Sequence, residues 1–114
     1  LQVRDFLGPD ELLDLLLLQL ADPGRNAPRI LNVGGGVECS LSLKQLSSYC
    51  ELRFGPKVVE SKPETRAFDI PFYVTDTAQA MAAWGWQPKR QAPNLLDEIA
   101  DWAEANRPII EAGF

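Results

Sequence analysis

Between Leu12 and Leu20 seven of nine residues are leucine, and only Asp14 and Gln19 interrupt them. This stretch constrains the chain more than any other. Gly8-Pro9-Asp10-Glu11 before it carries helix-start chemistry: proline suits the first helical position, and acids in the first turn favour the positive end of the helix dipole. Asp22-Pro23-Gly24 ends it. The spacing predicts a helix that is apolar on nearly every side. Such a helix is normally sandwiched between two layers, whereas a domain of 114 residues usually covers only one stripe of a helix. Cover from outside the chain is therefore expected, either from the rest of a larger protein or from a second copy in a homodimer.

Length allows one domain, residues 1–114, with no internal boundary or repeat. A net charge of -5 argues against a general nucleic-acid binder, because a phosphate backbone needs a basic face. The longest apolar runs, Leu15 to Leu18 and Ala80 to Trp84, are far shorter than the roughly 20 residues that span a bilayer. No basic-then-apolar leader precedes them, so the expectation is a cytoplasmic protein without a membrane partner. Cys39 and Cys50, with no histidine anywhere, make neither a disulfide framework nor a zinc site.

The alternation Leu1-Gln2-Val3-Arg4 reads as the tail of a strand, so the chain is expected to begin within an element. Ile30-Leu31-Asn32-Val33 predicts a short buried strand that empties into Gly34-Gly35-Gly36. Ser42 and Gln45 form a capping-box signal for a helix whose stripe is Leu43, Leu46, Cys50 and Phe54, ended by Gly55-Pro56. Lys57 to Glu60 predicts a second strand, and the long charged loop to Pro71 leads to a brief strand at Phe72-Tyr73-Val74. Asp76 and Gln79 cap a short helix that runs through Trp84 and stops at Gly85, with Trp86 packing under the glycine cap. A last helix starts near Pro93; Leu95, Leu96, Ile99, Trp102 and Ala103 line one face, and Asp97, Glu98, Asp101 and Glu104 form a solvated face opposite. The fold class is α/β, a small mixed piece of about four helices with short strands.

Acid–base and nucleophilic catalysis lean on histidine, an activated cysteine or paired carboxylates, and histidine is absent. Cys39 has no histidine to serve as its base and reads as a structural thiol. The glycine loop follows a strand and precedes a helix, with Glu60 placed as a ribose-binding acid, but Cys39 stands where a dinucleotide fingerprint needs its third glycine. That cradle is rejected. Neither tyrosine has a lysine four residues on: Tyr49 is followed there by Arg53 and Tyr73 by Thr77. No catalytic residue is assigned in this chain.

Three segments carry a resemblance. Arg4-Asp5-Phe6-Leu7, Leu31 to Gly36 with Ser40 and Ser42, and Arg66 to Asp76 running on to Trp84-Gly85-Trp86-Gln87-Pro88 together resemble the C-terminal third of the extended short-chain dehydrogenase/reductase family. The likeness is to its NAD-dependent nucleotide-sugar epimerases and dehydratases, and the triple glycine is most similar to the CDP-paratose (tyvelose) 2-epimerases. The resemblance implies that Arg4 and Arg66 bind the diphosphate of a nucleotide-diphosphate sugar, that Asp69 holds the nucleoside ribose, that Phe6 lies beside the nucleoside and that Tyr73 borders the sugar. It further implies a C-terminal substrate-binding domain whose missing partner is an N-terminal Rossmann domain. NAD would belong to that domain in the parent enzyme, with no cofactor in this chain. Gly8, where the family pattern continues with histidine, is the plainest departure. Trp84 and Trp86 are read as core packing rather than a sugar platform.

Overall fold

A computed structural model describes residues 2–60 and 67–113. In chain order the elements are β1 (Val3–Asp5), α1 (Pro9–Ala21), a 3-10 turn (Val37–Cys39), β2 (Ser40–Ser42), α2 (Leu43–Phe54), β3 (Phe72–Tyr73), α3 (Ala78–Trp84), α4 (Ala92–Ala105) and α5 (Arg107–Gly113). The fold is a small α/β piece: five helices around a three-stranded sheet in the order β2-β1-β3. Strand β1 runs antiparallel to β2 and parallel to β3. Backbone bonds from Val3 N–H to the Pro71 carbonyl and from Phe6 N–H to the Cys39 carbonyl extend the ladders at their ends.

Local chemistry sets the helix limits. Pro9 opens α1, with Asp10 and Glu11 in its first turn. Ser42 and Gln45 complete the expected capping box on α2, whose end turns at Gly55 with φ of 89°. Asp76 accepts the Ala78 N–H at 2.9 Å, and Gly85 closes α3 in the left-handed region while donating to the Met81 carbonyl.

Two expected strands are not formed. Ile30 to Val33 and Lys57 to Glu60 have β-type composition, but among the described residues no strand lies beside either, and Val58 is 97 % exposed. A strand exists only where a neighbour takes its N–H and C=O groups. Conversely, the polar Ser40–Ser42 becomes a strand because β1 supplies that neighbour, and α5 is a helix beyond the expected set. Strand β3 also stops at Tyr73, one residue earlier than expected.

The interior has two small clusters. Leu15, Ala80 and Trp86 form one, with Leu7, Leu31, Val33 and Trp84 packed against it. Cys39, Ala92 and Leu95 form the other, with Phe6 and Leu41 against it. Phe6 and Leu7, consecutive residues leaving β1, each enter a different cluster, so this segment pins the two halves together. Trp84 and Trp86 pack in the first cluster, as expected. Of the leucines in α1 only Leu15 is buried; Leu12, Leu13, Leu16, Leu17, Leu18 and Leu20 range from 41 % to 75 % exposed. No helix among the described residues is long and apolar enough to cross a membrane.

Candidate functional site

The sheet decides where the expected binding residues stand. In the parallel ladder between β1 and β3, Arg4 is in register with Tyr73, and on its other side it faces Leu41 of β2. Side chains alternate across a strand, so Phe6 shares the face of Arg4 two residues on. One sheet face thus collects Arg4, Phe6 and Tyr73. Arg4 is half-buried, donates from Nη1 to the Val3 carbonyl at 2.7 Å and makes no ion pair among the described residues. Tyr73 is half exposed. Phe6 leans on the cluster of Cys39, Ala92 and Leu95 and is therefore only partly free. Asp69 lies exposed in the segment that feeds β3, and its carboxylate has no hydrogen-bond or ion-pair partner among the described residues. Arg66 lies outside the described residues.

The opposite face of β1 holds the glycine loop. Asp5 accepts the Gly36 N–H at 3.1 Å, and Gly34 and Gly35 are buried beneath it. A Cβ on Gly34 would run into Asp5 and Thr75, and one on Gly35 would run into the Phe6 carbonyl. These glycines are small so that the loop can lie against β1. The close approach that Gly34 and Gly35 permit is thus to the chain's own strand. Among the described residues no three His, Cys, Asp or Glu side chains converge as a metal site requires.

Cys39 is fully buried, and burial, followed by the nearby charges of Glu11 and Asp5, pushes its thiol up. It packs with Ala92 and Leu95, in keeping with the structural thiol expected from its sequence context. Gly8, in place of the resemblance's histidine, is also buried, and a Cβ there would stand 2.7 Å from Asp10 Oδ1.

The polar residue with most consequence for the local structure was not singled out by sequence. Glu11 is only 7 % exposed; its Oε1 accepts the backbone N–H of Lys89 at 2.7 Å and of Arg90 at 3.1 Å. Its own carbonyl accepts the Trp86 indole N–H at 2.9 Å. Arg90 adds ion pairs to Asp10 and Glu98. Elsewhere the acidic face of α4 is exposed as expected, yet also receives α2: Tyr49 donates to Asp97 at 2.7 Å, and Arg53 pairs with Asp101 and Glu104.

Clefts lie away from the sheet face. One of about 630 Å³ sits between α2, α4 and α5 beside Arg53, Lys57 and Arg107, and another of about 430 Å³ runs beside α1 at Glu11, Leu17 and Trp86. Neither is lined by Arg4, Phe6, Asp69 or Tyr73.

No protein-family model matches the chain, and no solved structure matches it significantly. Among curated proteins it is similar to CDP-paratose 2-epimerase of Salmonella typhi, with 29% identity over 110 residues. The alignment takes in 91% of this chain and 31% of that protein, so the chain spans about a third of the length of its relative. This likeness supports an origin related to a nucleotide-sugar epimerase.

Proposed function

We propose that this chain is the C-terminal, substrate-binding wall of an NAD-dependent epimerase or dehydratase acting on a nucleotide-diphosphate sugar. The single observation that carries the proposal is the register of Arg4 beside Tyr73, on a strand fed by Asp69, in a chain 29% identical to a CDP-sugar epimerase. Arg4 and Arg66 grip the diphosphate, because a guanidinium fork matches two phosphate oxygens at once. Asp69 accepts from the vicinal hydroxyls of the ribose. Tyr73 borders the sugar, and Phe6 contributes an aromatic edge beside the nucleoside. NAD belongs to the Rossmann domain of the parent enzyme; in its favour, the glycine loop here lies against its own strand β1. Alone, the chain turns nothing over. It binds weakly, because the site is one wall and preorganisation comes from the other.

Titration of the chain with a CDP-sugar, followed by amide chemical shifts, tests this. Saturable shifts at Arg4, Asp69 and Tyr73 in the millimolar range are expected, and Arg4→Ala should abolish them. Shifts that are absent at millimolar ligand, or that fall on α4 and α5 instead, would refute the substrate-wall assignment.

A second function has one observation in its favour, the six exposed leucines of α1. On that view the chain is an interaction module, derived from such an enzyme, that uses α1 to form a homodimer. Sedimentation separates the two: a tight dimer of constant mass across dilution supports the module, while loose, concentration-driven association supports a wall awaiting its partner domain.

A further inference from the structure

We infer that Phe68 is the platform on which the nucleobase of the bound nucleotide stacks, which deepens and rests on the substrate-wall proposal. Phe6, the aromatic that resemblance places beside the nucleoside, is drawn toward the core by its contact with the cluster of Cys39, Ala92 and Leu95. A ring held there cannot offer a full face to a base. Phe68 is the reverse case. Its side chain is 94 % exposed, in the turn immediately before Asp69.

Isolated exposed apolar residues are ordinary, but here Phe68, Ile70, Phe72 and Tyr73 are all at least half exposed within six consecutive residues. Within this apolar run stands the Asp69 carboxylate, exposed and without a partner among the described residues. An exposed aromatic ring and an exposed carboxylate on consecutive residues match the two chemistries of a nucleoside: a flat π-system that stacks and a diol that donates. Stacking is tolerant of base identity, so Phe68 supplies affinity for the nucleoside while selection among bases needs other contacts.

The test is a titration of the chain with CDP, observed on both molecules. Stacking on Phe68 moves the cytosine H5 and H6 resonances upfield through the ring current. Phe68→Ala should abolish that movement and weaken CDP binding about fivefold or more, whereas Phe68→Trp should restore both. Ribose 5-phosphate, which lacks the base, should bind the wild type and Phe68→Ala equally. Unchanged CDP affinity in Phe68→Ala, with shifts persisting at Arg4 and Tyr73, overturns the platform and leaves the substrate wall standing. No CDP binding by the wild type overturns both.

Discussion

Gly35 shows how far a single missing atom can matter. Its Cα faces the Phe6 carbonyl so closely that a Cβ would overlap it, and backbone, unlike the end of a flexible side chain, cannot swing aside. Gly35→Ala is therefore expected to destabilise the chain by roughly 3 kcal/mol, at the upper end of overpacking costs, while Gly24→Ala, which meets nothing, should leave the melting temperature close to wild type. Thermal unfolding of the two variants checks it. The triple glycine was legible in sequence as a feature, but its use was not. A run of glycines announces close approach without saying whether a ligand or the chain's own strand approaches. Only the position of β1 decides that. The same holds for Arg4 and Tyr73: motif likeness picked each one out, while their adjacency depends on a parallel register between residues far apart in sequence.

At the level of elements, two polar ties hold helices in place. Glu11 in α1 takes two backbone N–H groups from the segment after α3, so Glu11→Ala removes a buried carboxylate acceptor and leaves two part-buried donors without it. A loss of about 2–3 kcal/mol is expected, against almost none for the exposed Asp14→Ala, read from denaturant midpoints. The second tie is Tyr49 to Asp97, between α2 and α4. Partial burial, then the hydrogen bond to Asp97 and its charge, push the Tyr49 phenol up to about 12. A folded-state pKa above the unfolded one stabilises the fold while the phenol is protonated. That contribution is complete below the ordinary tyrosine pKa near 10 and is lost as pH rises through about 12. Tyr49→Phe should flatten the alkaline limb of a stability–pH curve over that window. Helices were the readable part of this sequence because their signals are local: Ser42 with Gln45, Pro9, and Gly85 each act within one turn. Strands were not. Ile30 to Val33 has the better β composition and stays unpaired, whereas Ser40–Ser42 has the poorer and pairs, because pairing is a property of the neighbour. Glu11 was equally opaque, since nothing in Asp10-Glu11 tells which acid turns inward.

The whole molecule is open. Its accessible surface of 9029 Å² compares with roughly 6,200 Å² for a compact protein of this mass. Its radius of gyration is 17.3 Å, against about 13 Å for a compact domain of this length. Six exposed leucines of α1 contribute to that excess surface, and they should make the chain self-associate as concentration rises. Replacing Leu13 and Leu17, both more than half exposed, with glutamate is expected to abolish that association with little loss of stability, as sedimentation velocity would record. Openness also bears on how the chain reaches its native state. Strand β1 is bonded to both other strands, and its partners at Val3 lie at Ser42 and Phe72, 39 and 69 residues away (42 minus 3 and 72 minus 3). Helices α1 and α4 need no such closure and can nucleate on local contacts alone. Closing β1 between β2 and β3 therefore carries the largest loop-closure cost of the fold's pairings among the described residues, and it is expected to follow helix formation, as a stopped-flow comparison of helical signal with sheet-linked probes would record.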